Sequence, residues 1–253
     1  MQFDDLDKVM RVFETSNDRF VLPEVYVVAR IDGRSFTKLT KQTCKFEAPF
    51  DVRFRDMMIG TVKHLMQCGF HVIYGYTQSD EISLLLDKND ATFHRKARKL
   101  VSVLAGEASA AFSVQLGKIG AFDCRLCELP SEKLVIDYFR WRQADAYRNA
   151  LNAHCYWKLR EEGLNKTEAT RRIAGETTAA KNELLFQRGI NFNDLPFWQK
   201  RGIGFYHGEV ERQGYNPITK QTTITTRKTI ITDTELPIGD DYGIYINNFL
   251  QNG

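Results

Sequence analysis

Short β-forming runs alternate with stretches of helical periodicity through the first half of the chain. Clusters of apolar and β-branched residues, each short enough for one strand, are separated by segments whose apolar positions recur at helical spacing. The predicted elements are strands at 25–31, 70–76, 82–86 and 121–126 and helices at 49–67 and 91–116. The polar segment 77–80 makes the second and third strands a hairpin.

The element order β-α-β-β-α-β predicts an α+β fold of the ferredoxin-like, or split βαβ, type. A right-handed crossover makes the first two strands parallel and inserts the third antiparallel between them. The end of the first strand then lies beside the start of the third. Asp32 stands at the first of these positions and Asp80 at the second, so distant segments of the sequence are expected to meet at one sheet edge.

The second half of the chain has helical spacing followed by a hairpin pattern. The predicted elements are one or two helices over 132–162, shorter helices at 165–173 and 178–186, and strands at 204–210 and 222–232 joined by a Tyr215-Asn216-Pro217 turn. Residues expected to be buried in the long helical segment are Trp141, Ala144, Leu151 and Trp157. The tail after Pro237 is expected to be an appendage.

Composition narrows the possibilities only slightly. The chain is 43% hydrophobic and 26% charged, which is compatible with a packed core, and its net charge of +3 is too small to imply a nucleic-acid partner alone. No apolar run approaches the roughly 18–20 residues that span a bilayer, and the acidic N-terminal segment does not resemble a signal peptide. We therefore expect a cytoplasmic protein without membrane association. Five cysteines do not predict a disulfide framework.

Three carboxylates, Asp32, Asp80 and Glu81, follow or precede β-forming runs. Carboxylates on adjacent strand ends repel one another unless a cation lies between them. Mg²⁺ prefers such oxygen ligands together with substrate phosphates, and two such ions suit an in-line phosphoryl displacement. The alternative is that Asp32-Gly33 and Ser79-Asp80 are ordinary turns. Taken alone, each of these two pairs is better explained as a turn. Their predicted position side by side at one edge of the sheet favours a metal site.

Two basic clusters have the residue types that bind phosphate or RNA. On the predicted helix at 91–116, Arg95 and Lys99 share a face and could reach a triphosphate or an RNA end. Arg140-Trp141-Arg142 and Tyr147-Arg148 interleave aromatic rings with guanidinium groups, as RNA-binding surfaces do. A solvated helix face explains the first cluster equally well, and Trp141 could instead belong to the core.

Other catalytic or metal patterns are incomplete. Cys124 and Cys127 have the spacing of a zinc pair, but a second pair at matching spacing is missing, so structural zinc is not expected. The chain contains no P-loop, dinucleotide fingerprint or Ser-His-Asp order.

Five segments resemble, in order, the motifs of the tRNA-histidine guanylyltransferase family. They are Arg30–Phe36, Tyr76–Glu81, Phe122–Arg125, Trp141–Asp145 and Ala180–Phe186. The resemblance implies a polymerase-like palm domain at 1–130 and a tRNA-binding extension at 131–253, packed on the palm as one continuous globular unit. Members activate a tRNA 5′-monophosphate with ATP or GTP. They then add nucleotides in the 3′→5′ direction, the 3′-hydroxyl of a nucleoside triphosphate attacking the activated end.

The resemblance also implies roles for individual residues. Asp32, the Gly33 carbonyl and Asp80 would bind two Mg²⁺ ions, with Glu81 as a supporting catalytic residue. The nucleotide site would comprise Asp32, Gly33, Arg34, Ser35, Phe36, Thr37, Ser79, Asp80 and Lys99. Together with the basic clusters, the predicted tRNA- or phosphate-binding residues are Arg95, Arg140, Arg142, Arg148, Asn149 and Lys181. The family is typically a homotetramer.

Two positions depart from the family pattern. Eukaryotic-type members continue Arg-Gln-Ala-Asp with His-Ile-Asn-Asn, whereas this chain has Tyr147-Arg148-Asn149-Ala150. That histidine is associated with untemplated addition of guanosine to tRNA-histidine. Its absence favours the bacterial and archaeal guanylyltransferase-like subgroup, which extends truncated 5′ ends by templating. Ala48 stands where relatives often carry lysine, and Lys45 is expected to replace it in the nucleotide site.

Three other functions stay open beside templated tRNA repair. They are addition of guanosine at position −1 of tRNA-histidine, a palm-fold nucleotide- or RNA-binding module without polymerisation, and a nucleotidyl cyclase. The complete set of Asp32, Asp80 and Glu81 argues against a module without catalysis. The basic features at 140–148 and Lys181 argue against a cyclase. The expected partners are therefore tRNA and nucleoside triphosphates.

Overall fold

A computed structural model describes residues 2–216 and 221–251 of the chain. Its strands are β1 (Tyr26–Gly33), β2 (Val72–Gln78), β3 (Glu81–Leu86), β4 (Phe122–Leu129), β5 (Ile203–Asn216) and β6 (Gln221–Asp233). Its α-helices are α1 (Phe3–Thr15), α2 (Phe36–Lys38), α3 (Val52–Leu65), α4 (Ala97–Leu116), α5 (Glu132–Glu161), α6 (Lys166–Ile173), α7 (Thr178–Phe186), α8 (Phe197–Arg201) and α9 (Gly239–Gln251). A single π-helical turn, Leu39–Thr43, continues α2.

The six strands form one sheet in the order β4-β1-β3-β2-β5-β6, with every neighbouring pair antiparallel. Because β3 is antiparallel to both β1 and β2, those two strands run parallel to each other. The predicted α+β fold and βαββαβ order are confirmed. The C-terminal hairpin of β5 and β6 joins the edge of the same sheet beside β2. Of the predicted Tyr215-Asn216-Pro217 turn, Pro217 lies outside the described residues.

Helices cover both faces of the sheet, and the strand sequences are therefore nearly continuous runs of apolar residues. Along β1, Val27, Ala29 and Ile31 belong to the core under α3 and α4. The alternate residues Tyr26 and Val28 belong to the core under α5 and α9. Successive side chains of a strand point to opposite faces, so one short run supplies both cores. A third apolar cluster joins the C-terminal half of α5 to α6 and α7.

Helix α5 is a single 30-residue helix that crosses the sheet and continues beyond it. Ser131 caps its first turn by accepting a hydrogen bond from the Leu134 amide. Leu151 is buried as predicted, but Trp141 is 53% exposed and Ala144 is also exposed, so their predicted burial is wrong. The helix packs only one face against the sheet, and these two residues lie on its other side.

The segment before α4 differs from the prediction. Phe93, His94 and Arg95 have positive φ angles, so the helix begins at Ala97 and Arg95 does not share a helix face with Lys99. The Arg95 guanidinium instead donates to the backbone carbonyls of Val25 at 2.7 Å and Lys88 at 2.8 Å. It holds the loop to the start of β1. Two of its nitrogens donate to backbone carbonyls in this structure, and the predicted contact of Arg95 with tRNA phosphate stays a prediction.

The chain beyond Pro237 is part of the core. Helix α9 buries Tyr242 and Ile246 against α5 and the sheet. The Tyr242 hydroxyl lies 3.1 Å from that of Tyr74 on β2. The expectation of an appendage is wrong, because this helix completes the cover on one sheet face. None of the helices in the described part of the chain has the length and apolarity needed to cross a membrane.

Candidate active site

Asp32 and Glu81 lie directly opposite each other on β1 and β3. A two-residue turn, Ser79-Asp80, connects β2 to β3, and the Gly33 amide donates to the Asp80 carbonyl at 3.0 Å. The predicted meeting of the two strand ends is confirmed. On the other side of β1, Asp123 of β4 is the register partner of Asp32, an acidic neighbour that the sequence analysis did not single out. Four carboxylate-bearing residues thus converge at one sheet edge.

Polar side chains hold the Ser79-Asp80 turn in place. Ser79 has a φ of 54°, and its amide donates to the side-chain carbonyl of Gln78. The Gln78 amide group also donates to the Gln199 carbonyl on α8 at 2.8 Å. The Ser79 hydroxyl donates to the Asp80 carboxylate at 3.0 Å. These bonds fix the left-handed turn and the direction of the Asp80 carboxylate before any ligand arrives.

Gly33 allows β1 to approach this turn closely. A Cβ atom at this position would lie 2.6 Å from the Phe36 ring and 2.9 Å from the Asp80 Cβ. Both distances are too short for a side chain without displacement of its neighbours. Phe36 itself is buried against Phe112 and Phe122 and has little room to move. The glycine is therefore required by packing between the two acidic segments.

The electrostatics of Asp32 and Asp80 favour a bound cation. Burial, with smaller contributions from Asp32 and Glu81, raises the pKa of Asp80 to about 6. Burial and then Glu81 raise the pKa of Asp32 above its usual value. The Arg125 guanidinium, 3.8 Å from Asp32, offsets this only in part. A divalent ion between the two carboxylates would relieve their repulsion.

The donor set at this edge fits Mg²⁺ shared with a substrate better than a metal held by protein alone. Within the described residues, no three His, Cys, Asp or Glu side chains converge as a closed metal site requires. Mg²⁺ usually binds one or two protein carboxylates and completes its shell with water and substrate phosphates. Asp32, Asp80 and the Gly33 carbonyl supply such a partial set.

Glu81 is held by two arginines. Arg30 Nη2 lies 2.5 Å from one carboxylate oxygen, and Arg142 binds the other. Arg142 is only 5% exposed and also donates to Asp145 at 3.0 Å. Its guanidinium therefore lies buried between two carboxylates, and the binding of RNA phosphate by Arg142 stays a prediction. Since both of its oxygens are occupied, Glu81 is suited to holding the strand end in place.

Asp145 extends this network towards the surface of α5. Its carboxylate accepts a hydrogen bond from Asn149 at 3.2 Å and pairs with Arg148. The Arg148 side chain is 71% exposed, whereas Tyr147 packs its ring against Phe192 at 5.3 Å. In the segment 147–150, which departs from the eukaryotic pattern, the exposed guanidinium of Arg148 therefore follows the half-buried Tyr147 directly.

A cavity of about 320 Å³ opens beside the acidic edge. Its lining includes Phe36, Thr37, Ser79, Asp80 and Asn149 of the predicted site, together with Glu81 and Arg142. Aromatic side chains of α3, α5 and α8 form much of the remaining wall: Phe54, Trp157 and Trp198. Lys41 of the π-helical turn and Arg55 of α3 also line it. Lys41 is not among the residues that the sequence predicts for the site.

Other predicted residues lie outside this cavity. Arg34 and Ser35 are exposed on the loop after β1. Ala48 lines the cavity and Lys45 does not, and the replacement of Ala48 by Lys45 in the nucleotide site stays a prediction. The Lys99 ammonium lies 5.9 Å from the Phe93 ring. Arg140 pairs with Asp240 on α9, and Lys181 is half-buried on α7. Exposed Arg140 and Arg148 remain accessible to an RNA.

Comparison with known proteins agrees with this geometry. The family profile described as tRNAHis guanylyltransferase matches residues 7–130, and the profile described as Thg1 C terminal domain matches residues 133–237. A curated relative from Drosophila melanogaster, named probable tRNA(His) guanylyltransferase, is 36% identical over 216 residues. The alignment covers 79% of this chain and 75% of the relative.

Two solved structures have the same fold over almost the whole chain. A bacterial tRNA(His) guanylyltransferase (Thg1)-like protein in complex with ATP has a TM-score of 0.76 at 27% identity, covering 96% of this chain and 98% of that chain. The corresponding bacterial protein in complex with GTP has a TM-score of 0.71 at 27% identity, covering 97% and 99%. Profiles, identity and fold agree, and the chain belongs to the tRNA-histidine guanylyltransferase family of nucleotidyltransferases.

Proposed function

We propose that this protein extends 5′-truncated tRNA in the 3′→5′ direction, with the complementary strand of the RNA as template. The observation that carries the proposal is the acidic edge formed by Asp32 and Asp80 beside an aromatic cavity. In this arrangement the carboxylates would hold the phosphates of a nucleotide through metal ions, and the aromatic wall of the cavity would hold its base. The bacterial relatives in complex with ATP and with GTP support the binding of these nucleotides by this chain.

The proposed reaction has two balanced steps. In the first, the tRNA 5′-monophosphate attacks the α-phosphate of ATP or GTP, a phosphoanhydride forms, and pyrophosphate leaves. In the second, the 3′-hydroxyl of the incoming nucleoside triphosphate loses its proton and attacks the tRNA 5′ phosphorus. The nucleoside monophosphate leaves, or pyrophosphate leaves if the end was already a triphosphate. The new end carries the incoming triphosphate.

Two Mg²⁺ ions held by Asp32, the Gly33 carbonyl and Asp80 would stabilise the attacking and leaving oxygens of each displacement. Asp80 must be unprotonated to take part, and its raised pKa makes this sensitive to pH below about 6. Glu81, between Arg30 and Arg142, keeps the start of β3 opposite Asp32. The Ser79 hydroxyl orients one oxygen of the Asp80 carboxylate.

We propose that the RNA lies along the exposed face of α5 and the neighbouring helices. Arg140 and Arg148 present exposed guanidinium groups on α5, and both can contact phosphates without breaking the buried network. We also propose that nucleotide or RNA contacts the remaining predicted residues: Arg34, Ser35, Lys99 and Lys181. A homotetrameric state, which the family resemblance supports, and a cytoplasmic location belong to the same proposal.

Addition of guanosine at position −1 of tRNA-histidine is a second candidate. The 36% identity to a relative named probable tRNA(His) guanylyltransferase favours it. Tyr147 argues against it, because this residue takes the place of the histidine that the untemplated reaction is associated with. The Tyr147 ring is packed against Phe192, which leaves Arg148 as the polar group at this surface.

Competition between the two substrates tests the proposal. A 5′-truncated tRNA and a full-length tRNA-histidine are supplied together with all four nucleoside triphosphates and Mg²⁺. We expect the truncated tRNA to be extended at least tenfold more efficiently by kcat/KM. A preference for tRNA-histidine would contradict templated repair and support guanosine addition. Asp32→Asn protein is the control and should extend neither RNA.

A further inference from the structure

The cavity beside the acidic edge is elongated along α5. Asp145, Asn149, Ala153 and Trp157 line it at successive helical turns. A helix rises about 1.5 Å per residue, so these positions extend over about 18 Å. Asp145 marks the acidic end, because Arg142 joins it to Glu81. Trp157 therefore marks the end furthest from the carboxylates.

Lys41 lies at this far end of the cavity. Its ammonium is 4.7 Å from the centre of the Trp157 ring and 6.0 Å from that of Tyr156. It forms no salt bridge with any of the described residues. Burial, and then the positive charge of Lys166, lower the pKa of Lys41. An ammonium with no anionic partner thus borders a cavity next to an aromatic face.

We propose that Lys41 and Trp157 form the base-recognition end of the site for the activating nucleotide and that Lys41 makes this site favour GTP over ATP in the activation step. The inference rests on the proposed function, which puts the phosphates at the carboxylate end. The base then lies along the aromatic wall, where stacking on the Trp157 indole stabilises it whichever base it is. The Lys41 ammonium is a donor at the edge of such a base.

The donor pattern of the two purines gives the selectivity. Guanine presents two adjacent acceptors, N7 and O6, which a lysine recognises well. Adenine presents the N7 acceptor beside the N6 amino donor, so an ammonium there meets one favourable and one repulsive group. Among the described residues that line the cavity, the other cations are engaged elsewhere: Arg142 with Glu81 and Asp145, and Arg55 with Asp56 and the Trp198 ring. Ala48 contributes no charge to the lining.

Binding of GTP and of ATP to Lys41→Met protein, without RNA and in the presence of Mg²⁺, tests the assignment by calorimetry. We expect the affinity for GTP to fall about tenfold, equivalent to about 1.4 kcal/mol, and that for ATP to change less than about twofold. Lys38→Met is the matched control, because Lys38 lies on the same segment, is exposed and does not line the cavity. It should bind both nucleotides as the wild type does.

The Trp157→Ala variant distinguishes stacking of the base on Trp157 from selection of GTP over ATP by Lys41. Loss of the ring should weaken GTP and ATP to a similar extent and leave their ratio nearly unchanged. An equal loss of GTP and ATP affinity in Lys41→Met protein would overturn the proposal, because it would mean that Lys41 contacts phosphate. Unchanged GTP binding would also overturn it. Protein that binds GTP selectively but extends no tRNA would contradict the proposed function and leave the Lys41 assignment standing.

Discussion

Asp80 has a raised pKa because its carboxyl is partly withdrawn from solvent and lies near two other carboxylates. Its pKa of about 6 in the folded protein lies above the usual value of 3.8. The folded state therefore holds this proton more tightly than the unfolded chain does. Its contribution to stability is greatest at low pH and falls as the pH rises from about 4 to about 6. Above that range the ionised carboxylate destabilises the metal-free protein.

Asp80→Asn should therefore stabilise the metal-free protein at pH 7.5 by up to about 3 kcal/mol, since one pKa unit corresponds to about 1.4 kcal/mol. The gain should become small near pH 4, where the carboxyl is protonated in the folded wild type and only partly ionised in the unfolded chain. Urea unfolding at the two pH values measures the difference. Mg²⁺ should raise the Tm of the wild type and leave that of the variant unchanged. A variant less stable than the wild type at pH 7.5 would refute this account of the site.

Gly33 and Gly106 form a matched pair for testing the close approach at the site. Gly33→Ala forces a methyl group onto the Phe36 ring and the Asp80 Cβ, so we expect a loss of about 1–3 kcal/mol of stability. Extension activity should fall at least tenfold because the turn is displaced. Gly106, inside α4, has nothing within 4 Å of an added Cβ. Gly106→Ala should raise the Tm slightly and leave activity intact. Equal effects at the two positions would contradict the packing argument.

The elements whose position follows from the right-handed β-α-β crossover and from the spacing of apolar residues were predicted from the sequence. The end of β1 lies beside the start of β3 because of the right-handed crossover, which needs no knowledge of side-chain contacts. The sequence predicted Asp80 at that position opposite Asp32, whereas the structure has Glu81 there and Asp80 in the turn before it. The start of α4 did not follow, because tertiary contacts of Arg95 hold residues 93–95 in a left-handed conformation that local propensity disfavours. The burial of Trp141 was misjudged because an apolar residue on a helix does not show which face meets the sheet.

Helices α1 and α9 differ in how much they contribute to the core. Deletion of residues 239–253 removes buried Tyr242 and Ile246 and uncovers Tyr74, so it should lower the Tm by more than 10 °C or abolish folding. Deletion of residues 2–15 removes a helix with no buried residue and should change the Tm by only a few degrees. Thermal unfolding followed by circular dichroism compares the two proteins. A harmless C-terminal deletion would contradict the role assigned to α9.

At the scale of the whole molecule, the candidate site combines a part that the sequence predicts with a part that it does not. Asp32, Asp80 and Glu81 lie at or beside strand ends, and the local sequence pattern predicts the order of those strands along the chain. The cavity needs segments far apart in the chain, since Lys41, Asp80 and Trp157 all line it. Arg142 shows the same limit: its residue type and neighbours are typical of RNA binding, whereas its burial between Glu81 and Asp145 depends on how α5 crosses the sheet.

The central claim is that nucleotides are added at the 5′ end under the direction of the opposite strand. The most direct measurement uses a set of 5′-truncated tRNAs that differ only in the nucleotide facing the missing position, and identifies the nucleotide that is added. We predict that it is the Watson–Crick complement in every case and that Asp80→Asn protein adds none. Addition of guanosine whatever nucleotide faces it would contradict the account.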